Sequence, residues 1–182
     1  MNEDWNINKF RDYKRMRNRH KPLWEYVDKF IKEKNIKSIL DVGCGNCKLY
    51  NFSGDWTGID VNTTIKNDKI IEADFLTYKF DREFEMVLIA GVVEHYSSEM
   101  FKQFVETALK VRPKYVLVSL FIRLNKDGNK SHTILTSISN RKHKMTIYGK
   151  KFIEKIMENL GLNNYSIEEL SIKNNLIIIR RN

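Results

Sequence analysis

Only two cysteines and two prolines occur in the 182 residues, with eight glycines. Cys44 and Cys47 stand three positions apart, so no disulfide framework can staple the chain, and a reducing cytoplasm is the expected location. No apolar run approaches the roughly 20 residues that a membrane helix needs, the longest being Met86 to Val93. The opening MNEDWNINKF mixes both charge signs and lacks the apolar stretch of a signal peptide. Repeats, low-complexity tracts and linkers are also missing. Together these absences leave a single domain, 1–182, with 42% hydrophobic and 30% charged residues, enough for one well-buried core.

What the chain does have is localised positive charge. The formal net charge is +9. Residues 1–21 carry seven Lys or Arg against three acids, and residues 123–151 carry eight against one, whereas the remainder is slightly acidic. Biased base composition spreads charge evenly; this charge sits in two segments.

The apolar pattern predicts alternating elements. A basic helix is expected near 6–19, and a second opens at Pro22, whose missing N–H is no loss in a first turn, with Leu23, Val27, Phe30 and Ile31 at helical spacing. The runs KSILDV, WTGID, KIIEA, FEMVLIA and YVLVSLF are continuously apolar, as parallel strands buried on both faces are. Between the last two, a helix capped by Ser98 has Phe101, Phe104, Val105 and Ala108 as its stripe. Another, capped by Thr146, uses Phe152, Ile153, Ile156 and Leu160 and stops at Gly161. Two strands about a turn at Lys173-Asn174-Asn175 close the chain. The expected fold is an α/β three-layer sandwich around a mostly parallel seven-stranded sheet, with a C-terminal antiparallel hairpin. The link from Asp60 to Lys69 is too short for a regular crossover helix, so that helix is reduced.

The stretch Asp41-Val42-Gly43-Cys44-Gly45-Asn46-Cys47 admits several chemistries. As C-x-x-C it suits a redox dithiol, but a thioredoxin-like site needs a cis-proline facing the thiols, and Pro22 and Pro113 are poorly placed for that. A zinc site needs two further ligands from only four histidines. The cysteines therefore read as small packing residues, dispensable as thiols, and no metal is expected. As a dinucleotide loop, G-x-G-x-x-G fails at Lys48, and the Asp41 carboxylate opposes a pyrophosphate. That carboxylate suits a cofactor carrying an ammonium group and no phosphate.

At this point ILDVGCGNCKLY resembles the first motif, D-x-G-C-G-x-G, of the class I (Rossmann-like) S-adenosylmethionine (SAM)-dependent methyltransferases, with Cys47 in place of the third glycine. Further segments follow in family order: WTGIDVN, EADFLTYKF, FEMVLIAGVVEHYS with its V-L-E-H-like turn, and HKMTIYGKKFIEKIMENLGL. The resemblance implies a SAM site built from Asp41, Gly43, Cys44, Gly45, Asp60, Val61, Asp74, Phe75, Ala90 and Gly91. In it Asp60 takes the ribose hydroxyls, Asp74 the adenine amino group, and Phe75 lies beside the ring.

Methyl transfer from a sulfonium needs alignment and, for most oxygen or nitrogen acceptors, removal of a proton. His95, just past the fourth strand, is the expected general base, ahead of His132 and His143; the plainer reading has His95 packing the next helix with Glu94 outward. The chain lacks the N-P-P-Y tetrapeptide of amine and amide methylation, the Pro-Cys of cytosine C5 methylation, and the E-x-x-E-H-x-x-H of metal-dependent RNA 2′-O-methylation. In this family an N-terminal helical lid (1–35) and the connection after the fifth strand (123–148) cover the acceptor. The basic charge lies in both, with Arg15 and Arg17 as acceptor ligands, Tyr148 as the one aromatic of the second rim, and a small anionic acceptor as the expected partner. An RNA methyltransferase or a non-catalytic SAM-binding subunit are the alternatives, and the sequence does not give an oligomeric state.

Overall fold

A computed structural model describes residues 21–45, 52–63, 67–120, 132–138, 141–171 and 174–181. Helix α1, Lys21–Glu33, buries Leu23, Val27, Phe30 and Ile31 in one stripe. It ends where Asn35 turns left-handed at φ 51° and Ile36 N–H returns to the Ile31 carbonyl at 3.0 Å, a conformation that asparagine tolerates better than most residues. Of the expected 1–35 lid, this described part lies on the sheet with its stripe in the core; residues 1–20, and with them the helix expected at 6–19, Arg15 and Arg17, lie outside the described residues.

Strands β1 (Ser38–Val42), β2 (Asp55–Asp60), β3 (Ile70–Glu72), β4 (Met86–Ala90) and β5 (Tyr115–Leu120) are joined by β8 (Tyr165–Ser171) and β9 (Asn174–Arg180) in the order β3-β2-β1-β4-β5-β9-β8. The first five are parallel to one another; β9 is antiparallel to β5 and β8. The seven-stranded sheet with a terminal hairpin is the expected one. The described residues between β2 and β3 contain no helix.

Alternate strand residues feed two cores. Ile39, Met86, Leu88, Leu117 and Ile178 meet α1 on one face. Leu40, Val87, Ile89, Val116, Val118 and Ile177 meet helices α2 (Ser98–Lys110) and α3 (Lys150–Asn159) on the other. These are the two helix-sheet contacts of a three-layer sandwich, and continuous apolar runs are what strands covered on both faces require.

Three local readings are corrected. Ser97, not Ser98, holds the N-cap position of α2. Gly149 holds that of α3, because Thr146 belongs to a strand. Of the turn expected at Lys173-Asn174-Asn175, Asn174 and Asn175 already pair in β9, the latter buried opposite Leu120 of β5. The 123–148 connection contains a separate antiparallel pair, β6 (His132–Ile138) and β7 (Arg141–Ile147), which no apolar alternation announced.

Candidate functional site

The sheet changes direction between β1 and β4: from β1 the chain moves to β2 and β3 on one side, and from β4 to β5 on the other. Open α/β sheets leave a crevice beyond the strand ends at such a point. Here that point lies between the loops after Val42 and Ala90.

Gly43 follows β1 with φ +66°, and a Cβ on it would stand 2.3 Å from Cγ2 of Val92, which follows β4. Only glycine combines that backbone with that approach. The loop then docks on β2. Gly43 N–H donates to the Ile59 carbonyl at 2.8 Å, and Gly45 N–H (φ +51°) donates to Asp60 Oδ2 at 2.9 Å. Asn62 N–H takes Asp60 Oδ1 at 3.0 Å, so each carboxylate oxygen holds one loop. Burial raises the Asp60 carboxyl above its ordinary range, partly offset by these backbone donors.

Asp41, on the interior strand β1 and only 2% exposed, is pushed up to about 7, first by burial and then by the Asp60 charge. Of the two acids, Asp60 has the N–H donors, so Asp41 is the one that keeps its proton. Cys44 is buried, its Sγ 2.7 Å from where a Cβ on Gly58 would stand. It fills the space that Gly58 leaves, a packing role as expected; Cys47 lies outside the described residues.

Beyond β3, Asp74 organises a tight turn. Its Oδ1 accepts Leu76 N–H at 3.0 Å and its carbonyl accepts Tyr78 N–H at 2.9 Å. The ring of Phe75 is committed to the core, 4% exposed and stacked 5.9 Å from Phe104. Ala90 and Gly91 end β4, with Gly91 at φ +71° donating its N–H to the buried Ser119 Oγ at 3.1 Å. Val61 follows Asp60, half-buried.

The turn after β4 is a short 3₁₀ helix, Val93–His95. His95 is partly exposed, while Glu94 is buried rather than outward. Tyr96 packs its ring 5.2 Å from Phe104. Its phenol is raised by burial and then by the Asp74 and Asp60 charges, which puts it in electrostatic reach of both carboxylates. Nothing marks Tyr96 in the sequence beyond its place after His95. Tyr148, expected in the basic rim, is instead fully buried. His132 and His143 lie on β6 and β7, in ladder positions opposite Ile147 and Thr136. Among the described residues no three His, Cys, Asp or Glu side chains are grouped to hold a metal ion, and no helix is long and apolar enough to cross a membrane.

No family model and no curated protein matches the sequence. Solved structures do match it. Streptomyces venezuelae DesVI superposes with a TM-score of 0.71 at 13% identity, over 98% of this chain and 100% of that one. The fold is that of the class I SAM-dependent methyltransferases. A DhpI complex with SAM and HEP gives 0.68 at 14% identity, over 96% of this chain and 90% of that one. The Burkholderia thailandensis 1,6-didemethyltoxoflavin-N1-methyltransferase, with 1,6-didemethyltoxoflavin and S-adenosylhomocysteine bound, gives 0.68 at 8%, covering 96% of this chain and 84% of that one. In the methyltransferase fold of this chain, the Gly43–Gly45 loop meets the Asp60 tip through Gly45 N–H and approaches Val92, which directly precedes the Val93–His95 turn.

Proposed function

We propose that this chain is an enzyme that transfers a methyl group from SAM to an oxygen or nitrogen of a small anionic acceptor. The observation that carries the reading is the junction of Gly45 N–H with Asp60 Oδ2, which joins a loop with two positive-φ glycines to a strand-tip carboxylate. The residues fit the cofactor. The crowding of Gly43 against Val92 brings bare backbone to the crevice, as close approach to a ligand demands. Asp60 Oδ2 accepts Gly45 N–H and Oδ1 accepts Asn62 N–H, and the four lone-pair sites of a carboxylate leave capacity for a ribose hydroxyl. Structural neighbours contain SAM or S-adenosylhomocysteine, and one holds a small acceptor as well.

In this reading the bound cofactor supplies an activated methyl group on a sulfonium for direct displacement. Asp60 holds the ribose and Asp74 the adenine amino group. Asp41 balances the ammonium, and Gly43, Cys44, Gly45, Val61, Ala90 and Gly91 shape the walls. For Phe75 the contact falls to the backbone, because its ring is in the core. His95 takes the acceptor's proton, and Arg15 and Arg17 hold its anionic group.

Calorimetry with S-adenosylhomocysteine is the direct test. Asp60→Ala should weaken binding by about 1–3 kcal/mol through lost charge-assisted hydrogen bonds, with the chain still folded. Binding of NADH in place of SAM and its product would overturn the reading. For the acceptor, Arg15→Ala with Arg17→Ala should raise KM by roughly 1.5–3 kcal/mol equivalent and leave SAM affinity unchanged. The KM of a small anion should depend weakly on salt, whereas an RNA acceptor gives a steep dependence through counterion release. An unaltered KM makes the charge plain surface.

A further inference from the structure

The Val93–His95 turn is held at both ends from far along the chain. Tyr148 Oη donates to the Val93 carbonyl at 2.7 Å, and Thr146 Oγ1 donates to the Tyr96 carbonyl at 2.6 Å. Both donors are buried, Tyr148 completely. Along the turn, His95 N–H donates to the Val92 carbonyl at 3.0 Å and Tyr96 N–H to the Val93 carbonyl at 3.1 Å, with no side-chain cap at its start. A single 3₁₀ turn has poor internal hydrogen-bond geometry and depends on its surroundings for its position. Val93 is locked in the core cluster that also holds Tyr148, and the two hydroxyls complete the clamp. Tyr148 is tied in further by ring contacts with Phe101 of α2, 5.1 Å away, and Phe152 of α3, 6.3 Å away.

We propose that Thr146 and Tyr148 are positioning residues, which fix the Val93–Tyr96 turn and so hold His95 and Tyr96 at the crevice. The proposal rests on the methyl-transfer reading of that crevice. Both hydroxyls reach main-chain carbonyls, so they govern where the turn sits whatever side chains it carries. Thr146 lies within β7, and Tyr148 follows its last residue by one. The clamp therefore ties the β6–β7 hairpin to the residues at the cofactor crevice, and displacement of the hairpin is passed to His95 and Tyr96 through two hydrogen bonds.

The test uses imidazole NMR signals, with those of His95 assigned by their loss in His95→Gln, and S-adenosylhomocysteine as the probe. In the wild-type chain His95 should give one sharp set of signals that moves on saturation with the probe. In Tyr148→Phe and in Thr146→Val the set should shift or broaden and lose most of its response, while probe affinity stays within about tenfold. Thr146→Ser, which keeps the hydroxyl, should restore the wild-type spectrum. His95 signals that match the wild type in both hydroxyl-deleted variants, even with thermal stability lowered, would reduce the two residues to ordinary core contacts and overturn the proposal. Should Tyr148→Phe fail to fold, the Thr146→Val and Thr146→Ser pair decides alone. A wild-type chain that does not bind the probe defeats the methyl-transfer reading, and the ligand-free His95 spectra still decide whether the clamp positions the turn.

Discussion

At pH 8 the Asp41→Asn variant should be more stable than the wild-type chain by up to about 4 kcal/mol, and near pH 4 the two should be alike. The carboxyl is buried on the interior strand β1, its neighbours in register being Gly58 of β2 and Leu88 of β4. Folding raises it from 3.8 to about 7. Between those values the folded chain keeps a proton that the unfolded chain has released, so stability falls as pH rises through the interval and is flat above it. Asparagine has the same shape and never ionises, which removes the slope. For a chain of this size, 4 kcal/mol corresponds to roughly 8–16 °C in melting temperature. Urea titrations of both proteins from pH 4 to pH 8 check it; parallel stability profiles would mean that Asp41 is not held neutral.

A buried acid that costs stability at neutral pH needs a function to retain it. A cofactor with an ammonium group gives the ionised carboxylate a partner and lowers its proton affinity. SAM affinity of the wild-type chain should therefore tighten as pH rises toward and through 7, and the Asp41→Asn variant should bind more weakly with little pH dependence. The variant thus gains stability at the expense of the site, the trade expected where a site is locally strained.

The parts legible in the sequence are those fixed by local pattern. Central strands covered on both faces must be apolar at nearly every position, so β1, β4 and β5 are plain in SILDV, MVLIA and YVLVSL. The glycines and acids of the crevice are also legible, because loop backbone and strand-tip chemistry restrict residue type within a few positions. Tyr148 and Thr146 are not: their partners are the carbonyls of Val93 and Tyr96, some fifty residues earlier, and any residue type supplies a carbonyl. The strand RKHKMTI is as hidden, since the β6–β7 ladder is made by backbone pairing and its polar residues carry no apolar alternation. Thr146 reads as a helix cap because a hydroxyl before an amphipathic stretch has that local meaning; the strand pairing with Thr133 overrides it. The ring of Phe75 follows the core, while its neighbour Asp74 shapes the loop, a division that sequence order alone does not reveal.

Gly43→Ala should destabilise the chain by roughly 2–5 kcal/mol, combining about 1–2 for a side chain in the left-handed region with 1–3 for the steric intrusion. It should also weaken S-adenosylhomocysteine binding at least about tenfold. The two components are separable because the intrusion has one principal partner. The added methyl meets Val92 Cγ2 at 2.3 Å, with the other Val92 side-chain atoms at 3.6 Å and beyond. Val92→Ala in the Gly43→Ala background should recover the steric part and leave the backbone part, since φ +66° is set by the docking of Gly43 and Gly45 on Ile59 and Asp60. A double-mutant cycle from denaturant titrations should then show coupling of about 1–3 kcal/mol. Affinity gives the second readout. Val92 directly precedes the turn that carries His95 and Tyr96, so if Gly43→Ala acts by pushing that turn, the double variant regains most of its affinity. Energies that add within about 0.5 kcal/mol would show the Gly43–Val92 contact to be relaxed without cost, and glycine would then be required at 43 for its backbone conformation alone.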